Sequence, residues 1–451
     1  MAEKKLHTLK IDKLVPGGFG LGRLANGIVA LVRYVLPGEE VLVCETEHKK
    51  DYIYAALDKV LLPSPDRIDP PCPVYGRCGG CDLQHAGSAA QLRLKKIMLA
   101  DSLERSVPTI FHDRTLPIEE PLAAPAQFNY RQRLRLQVDG RGSYGFFHPA
   151  SHTVEPVLQC LLAREQLNSV LGQLHSLRSF QNLVRHCNSF ELLFNPAEND
   201  TIVLLNFKRK PRPADSSLAA ELKNQVNNLA AVLMLVEDHG LYDPLTKTFS
   251  VNPPILSYTP TIAPLESELI LTWEAGGFCQ VNLEQNSTLI NLVLGMIGDG
   301  THKNILDLYC GYGNFSLPAA KFAAAVLGID TQNAAIRSAK RNLLLNGVHN
   351  CIFEKKQVSA AVAAISAAKN SFDTVILDPP RRGAPGIVAQ LPELGAERII
   401  YISCNPATLA RDLLTLTTAD YRLVRLVPVD MFPQTHHLEC VALLHRSGRS
   451  R

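Results

Sequence analysis

The 451-residue chain is poor in three things: aromatic residues (6%, with one tryptophan), net charge (+3, from 46 Lys and Arg against 43 Asp and Glu) and long apolar runs. Each lack excludes a class. Near-balanced charge gives no bulk attraction to nucleic acid or membrane, so such a partner has to be argued from local groups of side chains. No stretch reaches 18 uninterrupted apolar residues, and the opening MAEKKLHTLKID has no apolar segment after its lysines. A transmembrane helix and a secretory signal are therefore not expected, and a cytoplasmic protein is. Wholesale disorder is excluded by 46% hydrophobic and 20% charged residues, ordinary values for a chain that buries cores. At roughly 150 residues per domain, three domains are the expectation. What the chain does have is eleven cysteines. In a reducing compartment these point to metal ligation or thiol chemistry before a disulfide framework.

Residues 6 to about 60 read as a small all-β unit. LHTLKIDKL, GIVALVRYVL, EEVLVCETEHK and DYIYAALDKVLL are short alternating or apolar runs separated by PGGFGLG, PGEE and charged turns. About five closely spaced strands with Gly-rich turns suggest a barrel. LLPSPDRIDPPCP then breaks regular structure and marks a boundary. From Cys72 to about residue 265 the pattern is α+β. SAAQLRLKKIMLADSLER is a helix with Leu92, Ile97, Leu99 and Leu103 as its apolar residues. Arg131, Arg133 and Arg135 alternate on one predicted strand face, and FELLFNP with TIVLLNFKRKPRP reads as a hairpin. From about residue 286, apolar runs of five or six alternate with helices, which means a doubly wound α/β sheet. Ligands of such sheets bind at the carboxyl ends of the strands. The expected division is 1–62, 63–265 and 266–451.

Cys72, Cys78 and Cys81, interleaved with Gly76, Gly79 and Gly80, form the first chemical signal. Glycines let a short loop turn its thiolates inward around a metal centre. Zinc would take three thiolates and a fourth ligand such as His85. An iron–sulfur cluster would take a fourth cysteine, with Cys160 the nearest downstream. Spacing leaves the two open.

LDLYCGYGNF is a strand followed by Gly311-x-Gly313 and a helix, a weak nucleotide-site signal by itself. Asp330 closes the next strand, where a carboxylate can take a ribose diol. Asp378 tips a later strand and is stiffened by Pro379 and Pro380. This DPP turn fits an S-adenosylmethionine-dependent methyltransferase better than a nicotinamide dehydrogenase. RIIYISCNPATLARD places Cys404 between a strand and a helix N-terminus, a setting expected to lower the thiol pKa. Glu439, in QTHHLECVALL, stands before the last strand. Together these residues describe one reaction. Carbon 5 of uracil takes a methyl group only after a thiolate adds at carbon 6. A base must then remove the carbon 5 proton so that the thiol can leave. Cys404 and Glu439 fit those roles.

These motifs resemble the RNA (uracil-5-)-methyltransferase family nearly end to end. The resemblance implies a TRAM, OB-like RNA-binding barrel, a central α+β domain with a [4Fe–4S] cluster, and a Rossmann-like S-adenosylmethionine-dependent methyltransferase domain. It carries Cys72, Cys78, Cys81 and Cys160 over as iron ligands. Gln280, Tyr309, Asn314, Asp330, Gln357 and Asp378 become methyl-donor contacts, Cys404 the nucleophile and Glu439 the base. Barrel and cluster cysteines together favour the bacterial branch acting on uridine 1939 of 23S ribosomal RNA, with a monomer expected. Another or a second rRNA site, or tRNA, stays open. A non-catalytic iron–sulfur RNA-binding protein is the reading from another class, and it would lack Cys404 or Glu439. Expected RNA contacts are the barrel, the Arg131–Arg133–Arg135 face, the group Lys208, Arg209, Lys210 and Arg212, and Arg381 with Arg382. The target base has to be extruded or single-stranded to reach Cys404.

Overall fold

The structure is a computed structural model that describes residues 5–107, 118–249, 252–263, 268–298 and 303–447. Five strands open the chain: β1 (Leu6–Val15), β2 (Phe19–Arg23), β3 (Val29–Arg33), β4 (Glu40–His48) and β5 (Tyr52–Leu62). They close into a barrel in the order β1-β2-β3-β5-β4. Alternation turns Leu9, Ile11, Ala30, Val32, Val41, Val43 and Ile53 inward. The sequence PGGFGLG, expected to be a turn throughout, is a turn only over 16–18 and a strand from Phe19. Its later glycines serve close approach: a Cβ at Gly22 would lie 2.4 Å from the Lys10 carbonyl oxygen on β1.

The proline-rich stretch after the barrel is tied down. The buried Glu39 carboxylate accepts bonds from Arg67 at 2.5 and 2.7 Å and from the Leu36 and Ser64 amides at 2.8 and 3.2 Å. The helix Ser88–Ser106 then buries two faces. Ala90, Leu94 and Met98 pack with Leu14 and Leu36 of the barrel. Leu99 and Leu103 enter the core of the C-terminal sheet. Ile97, expected among its apolar contacts, is exposed. Its neighbour Lys95 is buried instead, because Asp430 meets it at 2.6 Å.

Eight strands form the central sheet: β6 (Arg133–Val138), β7 (Tyr144–Phe147), β8 (Val154–Pro156), β9 (Cys187–Asn195), β10 (Asp200–Phe207), β11 (Leu229–Val236), β12 (Gly240–Asp243) and β13 (Thr248–Phe249). Their order is β13-β12-β11-β10-β9-β6-β7-β8. The expected hairpin is β9–β10, and the helix Pro213–Gln225 crosses to the parallel β11. The expected basic strand face is not free. The nearly buried Glu191 on β9 takes Arg133 at 2.6 Å and approaches Arg135 at 3.9 Å.

A two-stranded ribbon, β14 (Ile255–Tyr258) with β15 (Leu271–Glu274), and the helix Leu283–Ile297 lead into the last sheet. Its strands are β16 (Asn304–Leu308), β17 (Ala325–Asp330), β18 (Cys351–Lys355), β19 (Thr374–Leu377), β20 (Arg398–Ser403), β21 (Tyr421–Val429) and β22 (Glu439–Arg446), in the order β18-β17-β16-β19-β20-β22-β21. Only β22 runs against its neighbours in this sheet. This is the doubly wound architecture expected, with its direction of winding reversing between β16 and β19. Among the described residues, no helix is long and apolar enough to cross a membrane.

Candidate active site

A cleft of about 1470 Å³ opens at the carboxyl ends of these strands, beside the reversal where an α/β sheet leaves a crevice. Gln280, Tyr309, Asn314, Asp330, Gln357 and Asp378 all line it. After β16 the chain turns through Tyr309 (φ 65°), Gly311 (φ 57°) and Gly313 (φ 87°). Only glycine fits at 313, since a Cβ would lie 2.1 Å from Leu317 Cδ1. Asp330 braces this turn: its carboxylate accepts the Gly311 amide at 3.0 Å and the Gln332 amide at 2.8 Å. Asn314 is more committed than expected. It exchanges two bonds with the Asn286 amide, at 2.8 and 2.9 Å, and accepts the Tyr312 hydroxyl at 3.0 Å. Gln357 stands exposed just before the helix Val358–Ala367. Below the turn lies Asp307, wholly buried and bonded by Ser316. Burial pushes its carboxyl up to about 7, against the lowering bond from Ser316.

The thiol and the carboxyl come together through strand register. Ser403 of β20 pairs with Cys440 of the antiparallel β22. The residue after Ser403 is Cys404 and the residue before Cys440 is Glu439, so pairing sets the two opposite each other. Both line the cleft with Asp378, which follows the adjacent β19. Glu439 is 4% exposed. Burial holds its carboxyl well above the usual range, and Asp378 adds to this while Arg381 offsets it. Burial likewise raises Asp378 to about 7.

The Cys404 thiol is shifted the opposite way from the sequence expectation. Burial, then Glu439 and Asp378, push it up to about 11, and Arg381 only partly compensates. The helix beginning at Pro406 is already capped by the Asn405 side chain, which accepts the Ala407 amide at 3.1 Å. Helix-end attraction is thus outweighed by burial and two acids from other strands.

Arg381 and Arg382 line the cleft beside Asp378, as expected. Their backbone is docked on the helix Pro406–Thr418: Arg381 O accepts Asn405 Nδ2 at 3.1 Å, and Arg382 O accepts Arg411 at 3.0 Å. Arg131 parts company with Arg133 and Arg135 and reaches the same cleft. Its Nε is buried without a partner. Of the other basic group, Arg209 is consumed by Asp215 at 2.7 and 3.0 Å, whereas Lys208, Lys210 and Arg212 are exposed. Phe278, Phe432 and His437 also line the cleft, and sequence reasoning passed over all three. Phe278 is 62% exposed, and its flanking glycines in GGFCQ were the available signal.

The cysteine loop abuts this site. Gly79 and Gly80 form part of the cleft wall. Asp82 accepts the His436 amide at 2.7 Å and pairs with the His436 ring. Asp82 and Leu83 both donate to Gln434 O, at 3.2 and 3.0 Å. Among the described residues, no trio of His, Cys, Asp or Glu stands as a ready metal site. Burial raises Cys78, Cys81 and Cys160, and the neighbouring thiols add to it: Cys160 and Cys72 at Cys78, Cys160 and Cys78 at Cys81, Cys72 at Cys160. His85 Nδ1 is held at 2.6 Å by Tyr75, and its Nε2 is buried without a hydrogen-bond partner.

A family model described as tRNA (Uracil-5-)-methyltransferase matches residues 122–447. The 23S rRNA (uracil(1939)-C(5))-methyltransferase of Photobacterium profundum is 32% identical, over 98% of this chain and 94% of that protein. Its namesake from Vibrio cholerae is 33% identical, over 99% and 97%. Among solved structures, the Pyrococcus abyssi tRNA (uracil-54, C5)-methyltransferase in complex with S-adenosyl-L-homocysteine shares the fold. Its TM-score is 0.71 at 24% identity, over 97% of this chain and 100% of that one. A protein named for tRNA therefore spans the same architecture, barrel included.

Proposed function

Since the chain belongs to the RNA uracil-5-methyltransferase family, we propose that it methylates carbon 5 of a uridine in 23S ribosomal RNA, at position 1939, using S-adenosylmethionine. The choice of RNA rests on the relatives 32–33% identical over 97–99% of this chain, which are named for that substrate. The observation that carries the chemistry is the register that sets Cys404 opposite Glu439, with Asp378 alongside.

Cys404, once its thiol proton has passed to solvent, adds as the thiolate to carbon 6 of the extruded uracil, leaving an enolate whose carbon 5 is nucleophilic. S-adenosylmethionine, when bound, supplies the methyl group as the electrophile. Gln280, Tyr309, Asp330 and Gln357 line its side of the cleft, and Asn314 stiffens that wall through Asn286. Glu439 then takes the carbon 5 proton, the double bond re-forms, and the carbon 6–sulfur bond breaks to release Cys404 as the thiolate. With the thiol raised, the thiolate is scarce at neutral pH, and Arg381 is the neighbour that favours it. Arg381 also offsets negative charge at Glu439.

Cys72, Cys78, Cys81 and Cys160 would hold the [4Fe–4S] cluster. The electrostatic influence of these thiols on one another supports that ligand set. Bound there, the cluster would tie down the loop bearing Gly79 and Gly80. The barrel, a TRAM-type module, would take the RNA outside the cleft.

The test is to map 5-methyluridine in 23S rRNA from cells lacking the protein. Loss at one uridine, restored by the wild-type gene and not by Cys404→Ala, is expected. An unchanged map, with loss in tRNA instead, would overturn the choice of RNA while leaving the reaction standing.

A further inference from the structure

A second cavity of about 520 Å³ shares one wall with the cleft. Gly79 and Gly80 line both. Both glycines are exposed, so the ridge between the depressions is bare backbone with no side chain to block passage. Gly79 could not easily be larger: a Cβ there would lie 3.0 Å from the Phe147 carbonyl oxygen. The rest of the second cavity comes from Phe146, Phe147 and the 148–152 turn, including His148 and His152.

Phe147 carries the argument. On β7, Tyr144 and Phe146 turn into the central core, and Phe147 points to the other face. It is half-buried, with its ring 5.2 Å from the His152 ring at 87°. An aromatic ring outside the core and beside a second ring is a stacking platform of the kind single-stranded RNA uses. The wall is also fixed to the cysteine loop. Gly79 N donates to Phe147 O at 2.8 Å, and Glu155 takes both Arg77 at 2.9 Å and His148 at 3.0 Å. The 148–152 turn is closed by its own bonds, His148 N to Thr153 O at 2.9 Å and Thr153 N to Ser151 Oγ at 3.0 Å.

A uridine bound at Cys404 remains part of a chain, and its neighbours have to leave the cleft over its rim. We propose that the cavity walled by Phe147 and His152 is a nucleobase subsite that stacks an unpaired nucleotide flanking the target uridine. This rests on the RNA-methylating reading above. The occupant is an RNA base because the cavity continues the cleft that takes one. The bare glycine ridge gives the phosphodiester chain a path between the two.

The test uses the full-length protein and a synthetic 23S rRNA fragment centred on uridine 1939. Phe147→Ala should raise both Kd and KM for the fragment about tenfold or more, the size of one lost base stack. Turnover at saturating RNA and affinity for S-adenosylmethionine should stay unchanged, and Phe147→Tyr should restore RNA affinity. A series of fragments, each lacking one flanking base, identifies the occupant. One abasic position should weaken the wild type by the same factor and leave Phe147→Ala no weaker than before, the non-additivity of two halves of one contact. Unchanged affinity in Phe147→Ala, or strictly additive losses at every abasic position, would overturn the subsite. A wild type that methylates the fragment normally while Phe147 is indifferent sinks the subsite alone. A wild type that neither binds nor methylates it sinks the RNA assignment and the subsite with it.

Discussion

Replacing Lys95 by methionine isolates the contact that anchors the segment leading to Glu439. Lys95 and Asp430 are 0% and 1% exposed and meet at 2.6 Å. Lys95 also donates to Phe432 O at 3.1 Å. Methionine keeps much of the volume but leaves the Asp430 carboxylate buried without its cation. Removing one partner of such a pair costs about 3–5 kcal/mol, a large share of the roughly 5–15 kcal/mol that holds a domain folded. The urea midpoint should fall accordingly. Lys95→Met with Asp430→Leu should recover most of that loss, because the desolvation cost of both charges disappears together. Turnover should recover less than stability does, since Phe432 and the residues after it lose their tether. A Lys95→Met protein within about 1 kcal/mol of wild type would refute the reasoning. It would mean that water or local rearrangement compensates Asp430.

Four further outcomes are expected. Cys404→Ala should abolish methylation and leave S-adenosylmethionine binding near normal by calorimetry, and residual turnover above a few per cent would remove Cys404 from its role. Glu439→Gln should stall after methyl transfer, so a protein–RNA adduct surviving denaturing electrophoresis should accumulate; normal turnover would mean another base. Protein purified without oxygen should be brown with about four iron atoms per chain, and stoichiometric zinc without iron would contradict the cluster. Asp307 gives a pH signature. Its folded-state pKa is raised to about 7, so its contribution is fully present below the ordinary carboxyl range and is lost as pH rises through about 7. Asp307→Asn should therefore gain in thermal midpoint relative to wild type between pH 5 and pH 8, and a difference independent of pH would count against it.

The sequence was most legible where function sits at the ends of regular elements. Asp330, Asp378 and Cys404 follow apolar runs directly, and a doubly wound sheet sends every such residue to one edge. Glu439 could be placed in the site only with the pairing of β20 and β22, which no local pattern announces. The thiol misread has the same origin. A helix N-terminus is visible in SCNPATLARD, but the two acids that outweigh it arrive on other strands. Helix Ser88–Ser106 was correctly bounded, yet its burial of Lys95 rather than Ile97 depends on Asp430. Arg133 and Arg135 looked like a basic face because Glu191, which takes them, lies on β9.

The contacts joining the cysteine loop and its following helix to the segment before Glu439 have a consequence for biosynthesis. Asp82 with His436, Gln91 with Gln434 and Lys95 with Asp430 are 354, 343 and 335 residues apart in the chain. At about 5–20 residues per second of synthesis, the cysteine loop emerges on the order of 20–70 s before its partners. Through that interval the barrel can close on its own hydrogen bonds and the loop can dock on the central sheet through Gly79 and Arg77, but Asp82, Gln91 and Lys95 have no partners. Long-range contacts of this kind also slow the final step of folding. A chain stalled or cleaved before residue 430 would thus keep its barrel, its central sheet and the loop's contacts to that sheet, while Asp82, Gln91 and Lys95 stay unpaired until the segment before Glu439 emerges.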